Sequence, residues 1–369
     1  MLFSTSIFRA KIKRLPIKTA LITLSCLSCL CLSCKGDNPP SGKAAANQKL
    51  RKLTILSLEE IQKAGFFKHV IPAFETNHSC QVELITVASS SDLWEYLQER
   101  VKTGKVDIVA GLDNCLQPQT ADMDIFAEET IPSTYALSSN IIMDNKKKLI
   151  PYGFGYLAFI YNEQKLPNPP ESFGELQDSR FFNQMAIHEP RFSGKGRASY
   201  YWTLALFGDA GYQQFWKSIK KNIFVAKPTW NSMFDGLKRQ ECSICFGFTT
   251  TPAWYLETAV NPLPLKAIVP KEGSYLYVEA AAIPKKAKHR DTAEIFLRYL
   301  LSPDVQRFVA LDLGMFPANA GAPLPPQFSV APNPGFGVND KLKQENPREQ
   351  TDTWLDFWDK LFSTSLISY

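Results

Sequence analysis

Histidine is scarce in this chain. Only His69, His78, His188 and His289 occur in 369 residues, and they are scattered. That spacing offers no sequence-local metal centre, because zinc sites draw on closely spaced Cys and His pairs. Acidic residues are missing before Asp37, whereas Arg9, Lys11, Lys13, Arg14 and Lys18 all fall within residues 1–33. The net charge of +5 is therefore confined to that stretch, and the remainder balances 36 basic against 36 acidic residues. This balance removes the electrostatic case for a nucleic-acid partner. Beyond residue 33 no apolar run is long enough to span a bilayer, and no internal repeat is visible.

What is present begins with an address. The cationic stretch to Lys18 leads into Thr19 to Ser33, an uncharged run rich in Leu, Ile, Ser and Cys, with the length of a signal-peptide core. Leu32-Ser33-Cys34 resembles the bacterial lipobox, with Cys31 where a Leu is usual, and it marks Cys34 as the expected site of lipidation. Residues 1–33 are accordingly read as a lipoprotein signal peptide and 34–49 as a polar tether. Acyl chains on Cys34 would hold the protein at the periplasmic face of a bacterial membrane. The other cysteines of the body are Cys80, Cys115, Cys242 and Cys245. Cys242-Ser-Ile-Cys245 sits in an apolar run that reads as a buried strand, so these are expected to be core residues, with no metal site.

Leu53 to Leu56, Val82 to Val87 and Val106 to Ala110 read as strands, with helical stretches near Phe67 to Glu75 and Leu93 to Leu97 between them. This alternation predicts an α/β fold with a parallel sheet, whose ligands sit beyond the carboxyl ends of the strands. The loops at Ser89 to Ser91 and Gly111 to Asn114 are thereby candidate site segments. Tyr152-Gly-Phe-Gly-Tyr156 opens a strand instead of a helix, which excludes a dinucleotide fingerprint. Phe192-Ser-Gly-Lys-Gly196 lacks the Ser or Thr that follows a Walker lysine. It leads into a helix over Ala198 to Phe207, and a plain cap and an anion- or hydroxyl-accepting site both remain open there. Helices are also expected over 291–301, 304–311 (ending at Gly314) and 354–362, the last with core-facing aromatics.

Four separated blocks resemble one family. Val106 to Asn114, Phe154 to Tyr161 with Asn168 to Leu176, Thr249 to Trp254, and Glu272 to Glu279 are similar to thiamine-binding proteins of ABC importers. Phe296 to Gln306 with Gly314 to Pro317 is similar to type II periplasmic binding proteins more broadly. The resemblance implies a two-lobed clamshell, with residues 50–152 plus 280–362 as one lobe, 153–279 as the other, and a hinge near Tyr152 and Glu279. It implies a monomer without cofactor or enzymatic activity that binds thiamine or thiamine phosphate and delivers it to a membrane permease. Trp230 and Trp254 match aromatic ligand contacts, and Phe248 replaces a family Tyr. Ser193, Thr249 and Thr250 match hydroxyls for the ligand's tail, with Gly194 at the helix start. Ser89, Ser90, Asp113 and Asn114 fall on cleft loops by both resemblance and topology.

The chain departs from that family at Leu58-Glu59, where a Tyr-Asp pair is usual, at Gly314, where a Trp is usual, and at Ser89, where an Asp is usual. Phe66 or Phe316 would have to restore the missing aromatic surface. The alternatives are a type II receptor for ferric iron, for which Tyr200-Tyr201 is the tyrosine pair to inspect, or for another organic cation or phosphorylated metabolite. An enzyme on the same scaffold would need Cys115 as nucleophile.

Overall fold

The computed structural model describes residues 50–100, 103–115, 124–129, 132, 135–227, 229–342 and 347–362. The expected signal peptide, the tether and Cys34 lie outside them. Chain order runs β1 (Arg51–Leu58), α1 (Glu59–Lys63), α2 (Phe66–His78), β2 (Cys80–Val87), α3 (Ser90–Glu99), β3 (Ile108–Asp113) and β4 (Ile150–Asn162). Next come β5 (Met185–His188), α4 (Gly194–Ile219), β6 (Ile223–Lys227), α5 (Trp230–Lys238), β7 (Ile244–Phe248), α6 (Thr251–Thr258), β8 (Leu265–Ile268) and β9 (Leu276–Ala282). Helices α7 (Arg290–Leu300) and α8 (Pro303–Leu313), the short β10 (Phe316–Pro317) and α9 (Pro347–Phe362) follow.

The strands follow the order β2-β1-β3-β9-β4-β7-β5-β6. β1 lies parallel between β2 and β3, and β5 lies parallel between β6 and β7. β3, β7 and β9 are buried along their whole length, as expected of strands covered on both faces. β4 links the two parallel groups. Its first half pairs antiparallel with β9 and its second half with β7 and β8. The β4–β9 register shifts between Pro151 and Gly153, so Tyr152 is the extra residue of a bulge, and its hydroxyl donates to Glu279 Oε2 across the pair at 2.9 Å.

Local signals explain the helix starts. Ser89 caps α3, its Oγ accepting from the Asp92 amide while the Asp92 carboxylate accepts from the Ser89 amide. Thr229 and Ser232 make the same reciprocal arrangement before α5. α4 is interrupted by Gly208, whose φ of 66° breaks the helix where the sequence pattern ends. α8 stops at Gly314, which takes the left-handed cap at φ 64°. Trp354, Trp358 and Phe362 of α9 are buried against α4, where Trp358 meets Trp216 edge to face at 5.2 Å. Cys242 and Cys245 are free thiols in a core with Met233, Phe234 and Leu237. The five-residue α1 and the short α5 and α6 are helices that the apolar pattern did not indicate.

Candidate functional site

The predicted site residues lie at or just beyond the carboxyl ends of strands. Ser89 and Ser90 come after β2, Asp113 ends β3 and Asn114 follows it, Ser193 and Gly194 follow β5, Trp230 follows β6, Phe248 ends β7, and Thr249, Thr250 and Trp254 follow it. A cavity of about 290 Å³ opens among them, lined by Glu60, Lys63, Lys195, Trp230, Asn231, Trp254 and Asp312, among others. That volume is at the lower end for small-molecule sites. A larger cavity of about 650 Å³ lies at the opposite, amino ends of β1 and β2 and contains none of the predicted residues.

The two indoles are held from behind. Trp230 stacks on Phe248 at 5.6 Å between centroids and on Phe234 at 6.0 Å, and Phe248 continues the stack to Tyr277 at 5.5 Å. Phe248 is 1% exposed, so it backs Trp230 instead of lining the cavity. Trp254 donates its Nε1–H to the Leu311 carbonyl at 3.0 Å. A Cβ on Gly314 would come within 3.1 Å of Trp254 Cγ, so the glycine makes room for this indole where the family carries its own Trp. The aromatic substitutes expected from sequence lie elsewhere. Phe66 is buried on Tyr152, Phe316 is buried on Phe154, and neither lines the cavity.

The candidate hydroxyl residues are buried, and none of them lines this cavity. Ser193 caps α4, its Oγ accepting from the Gly196 amide. Ser90 Oγ accepts from the Gly194 amide at 3.1 Å, and the Ser90 amide donates to the Phe192 carbonyl. A Cβ on Gly194 would lie 2.0 Å from Asp113 Oδ2, so only glycine lets that carboxylate approach the helix start, where the positive end of the helix dipole favours it. Asp113 Oδ1 accepts from the Cys115 amide at 2.8 Å. Thr250 donates to the Gly314 carbonyl, while Thr249 Oγ1 is buried with no hydrogen-bond partner among the described residues. Asn114 faces β9 and does not line the indole cavity. Its side-chain amide pairs with the Leu276 carbonyl and the Val278 amide of β9, and it lines a separate cavity with Asn140 and Phe336.

Sequence reading missed the charged core of the site. Lys195 Nζ is 2.7 Å from Glu60 Oε1 and 3.8 Å from Glu279 Oε1. Glu279 also accepts from the Tyr152 and Tyr277 hydroxyls. Burial raises both carboxyl groups, but at Glu60 the adjacent ammonium prevails and holds it below the usual range, whereas Glu279 stays above it. Burial lowers Lys195, yet the two carboxylates outweigh it and keep the ammonium firmly protonated. His188, behind Trp230, is driven down to about 3 by burial, with Lys195 adding to the effect and Glu60 opposing it. Its Nδ1 lies 3.2 Å from Ser193 Oγ, which fits a neutral imidazole accepting that hydroxyl's proton.

Two alternative chemistries find no support in the geometry. The Tyr200 and Tyr201 hydroxyls are engaged by Trp354 O and Thr351 Oγ1 of the C-terminal helix, and neither residue lines the indole cavity. Burial and the nearby Asp113 charge push the Cys115 thiol well above its ordinary range, the reverse of an activated nucleophile.

Sequence and fold are similar to those of known proteins. Over 292 residues the chain is 28% identical to the thiamine-binding periplasmic protein of Escherichia coli (strain K12), covering 79% of this chain and 87% of that protein. The thiamine-binding periplasmic protein of Brucella abortus biovar 1 (strain 9-941) is also 28% identical, over 295 residues with the same shares. A solved periplasmic thiamin binding protein superposes with a TM-score of 0.74 at 25% identity, covering 87% of this chain and 99% of that one. The ferric binding protein from Campylobacter jejuni superposes with a TM-score of 0.70 at 16% identity, covering 84% and 99%, a likeness of fold alone. The mixed α/β architecture of type II periplasmic binding proteins expected from the sequence is the one observed. Residues 104–363 match the model of the bacterial extracellular solute-binding proteins, and the chain belongs to that family.

Proposed function

We propose that this protein captures thiamine in the periplasm and hands it to the permease of an ABC importer, acting as a binding protein without catalysis. The observation that carries the reading is the pair of half-buried indoles, Trp230 and Trp254, on one cavity with the Glu60 and Asp312 carboxylates. Thiamine carries a permanent thiazolium cation on flat rings. Aromatic faces contribute about 0.5 to 2 kcal/mol per cation contact, and carboxylates balance the charge. The names of the relatives point to the same ligand.

On this reading residues 50–152 with 280–362 and residues 153–279 are two lobes, joined through β4 and β9, and ligand closes them by contacting both. Ser90 against Gly194, Glu60 against Lys195 and Trp254 against Leu311 would then be contacts of the closed form. Ser89, Ser90, Asp113, Ser193, Gly194, Thr249 and Thr250 would shape the end of the site beside the indoles. The mature protein is a monomer tethered by lipid on Cys34, and a Cys34→Ser variant is expected to lose labelled palmitate and membrane association.

Mass spectrometry of small molecules released by denaturing the gently purified protein should yield thiamine or a thiamine phosphate. Titration with thiamine should quench tryptophan fluorescence. Flat calorimetric titrations with thiamine and with both of its phosphates would refute the proposal.

A further inference from the structure

Two acids and one ammonium, from α1, β9 and α4, meet beside the indole cavity. Glu279 is 1% exposed at its side chain, fixed by two phenolic hydroxyls, and 3.8 Å from Lys195 Nζ. Glu60 is 21% exposed, faces the indole cavity, and among the described residues has only Lys195 as a side-chain partner, at 2.7 Å. The ammonium is thus drawn toward the cavity-facing acid, away from the fully enclosed one. With both acids ionised, the trio carries one negative charge more than positive. Lys195 can reach hydrogen-bond distance of Glu279 by moving about 1 Å, which would leave the Glu60 carboxylate facing the cavity unneutralised.

We propose that Lys195 is a built-in surrogate for the ligand's cation, and that an organic monocation entering between the indoles takes over Glu60 while Lys195 transfers to Glu279. This assignment rests on the thiamine reading and adds to it the residue that selects for positive charge. Glu60 stands one position beyond the acid of the family's Tyr-Asp pair, and Lys195 lies in the Ser-Gly-Lys-Gly turn that fails as a phosphate loop. The two residues are 135 positions apart and meet only through the fold. No bond is made or broken in the exchange, and no proton need move.

The test compares thiamine with thiochrome, its uncharged tricyclic oxidation product, by calorimetry on the full mature protein. Glu60→Gln should weaken thiamine at least 30-fold and leave thiochrome within 3-fold of wild type, the loss corresponding to about 2 kcal/mol at tenfold per 1.4 kcal/mol. Lys195→Gln, which removes the internal competitor, should tighten thiamine several-fold without tightening thiochrome. Circular dichroism on each variant establishes folding, and Glu60→Asp should restore part of the preference. Equal losses for both compounds, or no loss in Glu60→Gln while wild type binds thiamine, would overturn the assignment alone. Wild type that binds neither compound would overturn it together with the functional reading.

Discussion

The His188 imidazole makes stability depend on pH in a way that can be worked through. It is 2% exposed, shares a hydrogen bond with Ser193 and stands edge-on to Trp230 at 5.4 Å. Its folded pKa of about 3 lies far below the ordinary 6.5. Between these values the unfolded chain binds a proton that the folded chain refuses, so stability is complete above the unfolded value and falls as pH drops toward the folded one. One proton limits the slope to about 1.4 kcal/mol per pH unit, and between pH 7 and pH 5 the loss comes to about 2 kcal/mol. Urea unfolding at the two pH values, on wild type and on His188→Gln, measures the effect. The variant is expected to start less stable but to lose about 2 kcal/mol less on acidification. Glu279 titrates in both proteins and drops out of the difference, and Glu60, which is coupled to the imidazole, contributes only a minor part of it. Identical pH dependence in the two proteins would show that the folded imidazole accepts a proton freely and would refute the reasoning.

Three further outcomes follow from geometry. Trp230→Ala and Trp254→Ala should each weaken thiamine about 3- to 30-fold by calorimetry, the share of one cation–aromatic contact, with folding retained. Gly194→Ala should cut affinity at least tenfold, because its methyl would sit 2.0 Å from Asp113 Oδ2 in this form, and small-angle scattering with ligand should then report a larger radius of gyration than wild type. Trp358→Ala should lower the unfolding free energy by about 3 to 5 kcal/mol, since a 1% exposed indole packed on Tyr200 and Trp216 leaves a cavity in the core.

The elements of the first third and of the C-terminal part were legible because strand and helix leave different apolar periods in the chain, and the caps at Ser89 and Gly314 are local chemistry, whereas the short β5, β6, β8 and β9 and the helices α1, α5 and α6 were not read. The indoles were reachable through resemblance, and the topology then brought both to one cavity. The charged trio was not legible, because Glu60, Lys195 and Glu279 come from three distant segments, and although the turn around Lys195 and the hinge at Glu279 stood out singly, nothing local pairs the three. Phe66 and Phe316 show the opposite error. Residue type suggested cage members, but each packs into the interior, since a ring near a strand end gains more from the core than from a wet cleft. Asn114 illustrates how fine the distinction is. It is adjacent to Asp113, yet its amide completes the backbone pairing of β9 while the aspartate faces the start of α4.

The thirteen-residue β4 carries a consequence for how this scaffold can vary. Its two halves serve different neighbours, so adding or deleting a single residue near Tyr156 would turn Phe159 and everything after it to the other side of the sheet, while the pairing with β9 stayed intact. Length changes are therefore expected to be tolerated in the surface loops and refused in this strand. Anyone grafting a new binding specificity onto the protein should treat Ile150 to Asn162 as a ruler of fixed length.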